Sequence, residues 1–107
     1  MPCRRETPAA TDDEILELKA EVPDWALVEI AGVKRLRRSF SFGDFACALA
    51  FANRIGAVAE TEGHHPLLLI EWGRTTVEWW THSIGGLHRN DFVMAAKTGE
   101  LLVSADR

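Results

Sequence analysis

The feature that most narrows what this chain can become is a pair of largely apolar runs, residues 67–72 and 75–81, on either side of Gly73-Arg74. That dipeptide suits a two-residue type II′ turn, which wants glycine at its first central position. The register pairs Trp72 with Thr75, Ile70 with Val77 and Leu68 with Trp79. These side chains then share one face of the hairpin, the face that helices must cover, and make Trp72 and Trp79 core residues. The opposite face holds Leu67 across from Trp80, Leu69 across from Glu78 and Glu71 across from Thr76. One step further, His65 falls opposite His82, with Cβ atoms about 4.5–5.5 Å apart. Pro66 donates no ladder hydrogen bond and keeps His65 extended. The His64-His65 pair is therefore expected in the connection into the strand, where both rings can turn toward one pocket.

The rest of the chain supplies the covering layer. Thr11-Asp12-Asp13-Glu14 is a capping-box sequence; Ile15, Leu18 and Val22 follow at helical spacing, and Pro23 ends the segment. A first hairpin is expected from the alternation over 25–30, the Ala31-Gly32 turn, and Leu36, Arg38, Phe40 and Phe42. Residues 43–62 read as a helix with Phe45, Leu49, Ala52 and Ile55 along its apolar stripe and Ala46, Ala50 and Ala57 permitting close approach. Gly63 is its left-handed stop. After Gly85-Gly86, a last helix is expected over about 89–103. The order αββαββα implies an α+β fold: a four-stranded antiparallel sheet with helices packed on one face. Residues 1–10, with two prolines and no periodicity, read as a disordered tail before a single domain over 11–107.

Length and composition exclude several classes. At 107 residues there is room for one domain. A chain so short buries a modest share of its surface, which favours a homodimer or homotetramer. The net charge of −4 argues against direct nucleic-acid binding. The basic stretch Lys34, Arg35, Arg37 and Arg38 reads as a solvated strand face. Cys3 and Cys47 form no disulfide framework or paired-cysteine zinc site, and Cys47 reads as a small hydrophobe in its helix. No apolar run approaches the roughly 20 residues that cross a bilayer, and no secretory signal is present, so a cytoplasmic location without membrane contact is expected.

Glu60, His64-His65-Pro66, Trp72, His82 and Asp91 together resemble the signature of the pterin-4a-carbinolamine dehydratases. The resemblance covers roughly residues 25–102 and includes Thr81-His82 before a Gly-Gly-Leu, and Pro23-Asp24-Trp25 before the first strand. It implies dehydration of a 4a-hydroxytetrahydropterin to quinonoid dihydropterin and water, in support of tetrahydropterin recycling, with no cofactor and no metal. Imidazole suits both proton transfers, since its ordinary pKa of about 6.5 keeps each form available near neutrality. The resemblance assigns His64 and His82 as the acid and base and His65 to holding the pterin. Glu60 would hydrogen-bond the pterin or orient His64. Gly63, Trp25, Trp80, Thr81, Ser83 and Asp91 complete the expected substrate-binding set, and Asp91 also suits capping of the last helix. This chain departs from many members at Gly63, Ser83 and His88. The alternatives are a zinc site, disfavoured because adjacent histidines share one ion poorly, and a non-catalytic binding protein of the same fold. Relatives of the second kind serve as a transcriptional dimerisation cofactor or a rubisco assembly factor.

Overall fold

The computed structural model describes residues 9–105, and the tail expected before Ala9 lies outside the described residues, as does Cys3. Three helices, α1 (Asp12–Lys19), α2 (Phe45–Glu62) and α3 (Arg89–Ala105), accompany four strands, β1 (Ala26–Ile30), β2 (Val33–Ser41), β3 (Leu67–Glu71) and β4 (Arg74–Trp79). The sheet is antiparallel throughout, in the order β1-β2-β4-β3. The α+β architecture read from the sequence is therefore the observed one. Ala10, the last residue of the expected tail, donates its N–H to the Leu87 carbonyl at 2.8 Å.

Local chemistry accounts for most boundaries. Thr11 and Glu14 form the expected capping box at α1, each side chain accepting from the other's backbone. The β1–β2 turn holds Ala31 at φ 52° and Gly32 at φ 79°, the two positive values that a type I′ turn requires. Asp44 caps α2 by accepting the Cys47 N–H at 2.8 Å, and these hydrogen bonds hold its carboxyl below the ordinary carboxylate range. The same carboxylate raises the pKa of the Cys47 thiol, which is exposed rather than buried as expected.

The helices pack on one sheet face. Leu36 and Phe40 of β2 and Val77 and Trp79 of β4 point into that core with Phe51, Ile55, Phe92 and Ala95. Phe51 lies 4.7 Å from Phe40 and 5.2 Å from Phe42 between ring centroids. That contact fixes which side of α2 is buried: Ala48, Phe51, Ala52, Ile55 and Ala59 face inward. The expected stripe was partly misplaced, because Phe45 and Leu49 are 44% and 39% exposed. An alanine-rich helix offers several apolar stripes, and the largest ring decides among them.

The β3–β4 register also differs from expectation. Ile70 pairs with Thr75, Leu68 with Val77 and Leu67 with Glu78, so Trp72 and Thr75 are not partners. The turn residues are Trp72 and Gly73, with the left-handed φ of 76° at the second central position, where a type II turn needs it. Arg74 closes the turn on Glu71 with 2.9 Å contacts from Nε and Nη2. Gly73 lies against the backbone of Phe42, whose N–H donates to the Gly73 carbonyl at 2.9 Å. A Cβ on Gly73 would sit 3.2 Å from the Phe42 oxygen. Trp72, expected in the core, is 73% exposed at the turn. The slip is two residues, and side chains alternate with period two, so the face assignment survives. Leu68, Val77 and Trp79 still face the helices.

Trp79 is fully buried and donates from Nε1 to Thr98 Oγ1 at 3.1 Å. Trp79→Ala is therefore expected to cost about 3–5 kcal/mol in chemical denaturation, whereas His82→Ala, at an exposed position, should leave the midpoint nearly unchanged.

Candidate active site

The histidines singled out from the sequence flank the start of β3 and the end of β4, and a helix stop brings the first of them there. Gly63 adopts φ 67°, ψ 29° directly after α2, with its N–H donating to the Glu60 carbonyl at 3.3 Å and that of His64 to Ala59 at 3.1 Å. This pairing is a Schellman motif, and it turns the chain so that His64 points inward. The His64 residue is 7% exposed, and its ring lies parallel to Trp79 with centroids 5.6 Å apart and 8° between planes.

Asp91 organises the site. It sits in the first turn of α3 with no exposed surface, and its Oδ1 lies 2.6 Å from His64 Nε2. Its Oδ2 accepts the Thr81 hydroxyl and the His88 N–H, each at 2.8 Å. The carboxylate thus caps α3, one of the roles weighed for it in the sequence, and also anchors the imidazole, which the sequence did not suggest. Both hydrogen bonds at Oδ2 are received, and an ionised carboxylate only accepts, so the arrangement suits a His64 tautomer that donates from Nε2. Nδ1 is then the ring nitrogen left to exchange a proton. His88 completes the cap, its Nδ1 accepting the Asn90 N–H at 3.3 Å. The imidazole thus does at His88 what a serine hydroxyl does at many N-caps.

Glu60 holds a different histidine from the one expected. Its Oε2 lies 2.6 Å from His65 Nε2, and both side chains are exposed, at 77% and 61%. The expectation that Glu60 orients His64 is corrected by Asp91, which occupies that role. His65 does not lie opposite His82 in the ladder: the observed register, continued past Leu67, sets it level with Trp80. His82 opens a short 3₁₀ turn, His82–Ile84, and its ring lies on that of Trp80 with centroids 4.4 Å apart, 18° from parallel. Ser83 is exposed in the same turn, and Thr81 is buried beneath it. Trp25 is 2% exposed and packs edge-on to Phe40 at 6.1 Å, so its ring belongs to the core.

Sequence reasoning missed what lies behind Trp80. Glu78 is 2% exposed on the sheet face opposite the helices and receives Arg35 Nη1 at 2.9 Å and Arg37 Nη2 at 2.8 Å. The Arg35 guanidinium lies 3.8 Å over the Trp80 ring. The basic stretch is thus not a solvated face at Arg35, whose side chain is 16% exposed. The signal was available: Glu78 at an inner-strand position demands a cation nearby. Among the described residues no cluster of three or more His, Cys, Asp or Glu side chains is arranged to hold a metal ion. No helix there is long and apolar enough to cross a membrane.

The comparisons with known proteins meet this geometry. The family described as pterin 4 alpha carbinolamine dehydratase matches residues 8–101. The chain belongs to that family. A Chlorobium limicola protein named "Putative pterin-4-alpha-carbinolamine dehydratase" is 60% identical over 94% of this chain and 89% of its own length. A Syntrophotalea carbinolica protein of the same name is 56% identical over the same shares. A Brucella melitensis structure described as a transcriptional coactivator/pterin dehydratase superposes with a TM-score of 0.77 at 30% identity, covering 87% of this chain and 97% of that one. A pterin dehydratase-like protein described as a RuBisCO assembly factor of the alpha-carboxysome shares the fold, with a TM-score of 0.61 at 20% identity over 73% of this chain and 88% of that one.

Removing the Asp91 carboxylate strips a buried anchor from His64, Thr81 and the α3 terminus together. Asp91→Ala is expected to lower stability by about 1–3 kcal/mol through the donors left unpaired, measured by denaturant unfolding. A variant as stable as the parent would show that these contacts do not hold the site.

Proposed function

We propose that the chain dehydrates a 4a-hydroxytetrahydropterin to quinonoid dihydropterin and water, and so serves tetrahydropterin recycling. The observation that carries this reading is the buried Asp91–His64 contact in a member of the dehydratase family. In the reaction the C4a–O bond breaks, the leaving hydroxyl takes up a proton to become water, and N5 gives up its proton as the C4a=N5 bond forms. A general acid and a general base suffice for these steps, each typically worth about 10²–10⁴-fold.

His64 suits one of these roles because Asp91 fixes its ring and leaves Nδ1 for proton exchange. His82 suits the other, with an exposed ring backed by Trp80. His65, paired with Glu60 at the surface, is assigned to holding the pterin, and Thr81, Ser83 and Gly63 to shaping the site around it. No cofactor is required by this chemistry. The exposed apolar side chains of α2 and of the edge strands, Phe45, Leu49, Leu27 and Leu69 among them, suit assembly into a homodimer or homotetramer. The same fold also serves as an assembly factor elsewhere, and turnover of the pterin separates the two readings.

The test is a coupled assay for quinonoid dihydropterin, read against the spontaneous dehydration. His64→Ala and His82→Ala should each lose at least about tenfold in kcat, while His65→Ala should mainly raise KM. Exhaustive chelation should leave the rate unchanged. Full activity in all three variants, or loss on chelation that zinc restores, overturns the assignment.

A further inference from the structure

Two of the three clustered histidines are held by carboxylates, and the third is not. Asp91 meets His64 at 2.6 Å and Glu60 meets His65 at 2.6 Å. Among the described residues the His82 ring is held by its stack on Trp80 alone. An exposed imidazole at the start of a one-turn 3₁₀ segment has freedom to rotate, so its orientation depends on what fixes Trp80.

Trp80 is partly buried against the core, and Arg35 lies over its ring. On one carboxylate, Glu78, two guanidiniums converge from β2, but they are not equivalent. Arg37 is 43% exposed and serves as a counter-charge, whereas Arg35 is 16% exposed and brings its central guanidinium carbon 3.8 Å from the Trp80 ring centroid. Arg35 Nε is buried without a hydrogen-bond partner among the described residues, so the guanidinium is placed for the ring rather than to use every donor. A planar, weakly hydrated guanidinium makes this stack well; a compact ammonium does not.

Resting on the dehydratase reading of His82, we propose that Arg35, clamped by Glu78, is a positioning residue that fixes the Trp80 ring and through it the plane of the His82 imidazole. The contacts run Glu78 to Arg35 to Trp80 to His82, across the sheet face that carries no helix. Arg35 touches neither substrate nor reacting atoms in this account; it acts through the ring.

The experiment reads His82 directly. Its ring protons, identified by their loss in His82→Asn, should resonate upfield of a free imidazole because of the Trp80 ring current. In Arg35→Gln they should move toward free-imidazole positions, and kcat should fall about three- to tenfold, the size of one cation–π contact, with KM changed less. Arg35→Lys keeps a charge beside Glu78, and with it the fold, yet should shift the resonances in the same direction. Arg37→Gln removes an equal charge from Glu78 and should leave resonances and kcat as they are. In a Trp80→Leu background, Arg35→Gln should add no further loss. Unmoved His82 resonances in both Arg35 variants, or an equal displacement in Arg37→Gln, would overturn the proposal. The resonances are read without turnover, so a parent protein with a stacked His82 and no dehydration would defeat the dehydratase reading alone.

Discussion

The contact on which the rest of the site depends is the one between Asp91 and His64. A buried carboxylate is costly unless every oxygen is used. Here one oxygen takes the imidazole, and the other takes the Thr81 hydroxyl just past β4 and the N–H of His88, the residue before α3. Three separate parts of the chain are therefore tied at one point: the exit of α2, the exit of β4 and the start of α3. Satisfying the carboxylate and building the site are the same event. The helix needs an acceptor at its positive end, and the histidine needs a group that selects one ring nitrogen.

Much of the frame was legible because period-two alternation is insensitive to the errors made in reading it. The hairpin turn forms one residue earlier than expected, which slips the strand pairing by two, yet Leu68, Val77 and Trp79 keep their face. A pairing slip of one residue would have inverted the face assignment. What the slip did change was lateral: His65 moved away from His82, and Trp72 left the core for the turn. The turn itself is held by a long-range contact, the Phe42 backbone against Gly73, and by the local Glu71–Arg74 ion pair. Glycine spacing alone does not encode either.

The candidate side chains were legible in the sequence, and the contacts between them were not. His64, His65, His82, Glu60 and Asp91 were all identifiable, but the partner of each was not. Glu60 is four residues from His64 and five from His65, and sequence distance favoured the wrong ring. The Schellman turn at Gly63 sends His64 inward and leaves His65 at the surface beside Glu60. Arg35 was hidden in a run of basic residues, where alternation on β2 puts Arg35 and Arg37 on one face and Arg38 on the other. Only the buried Glu78 distinguishes that face from a solvated one.

With Asp91 Oδ1 2.6 Å from His64 Nε2, the proposed proton transfer at Nδ1 requires that Nε2–H donate to the carboxylate. Long-range proton–nitrogen correlation spectra of the parent protein test this most directly, with His64 identified by its loss in His64→Gln. The expected result is a protonated Nε2, with its proton shifted downfield by a short bond to carboxylate, and an unprotonated Nδ1 at alkaline pH. A His64 ring protonated at Nδ1 instead, with Nε2 bare, would contradict it.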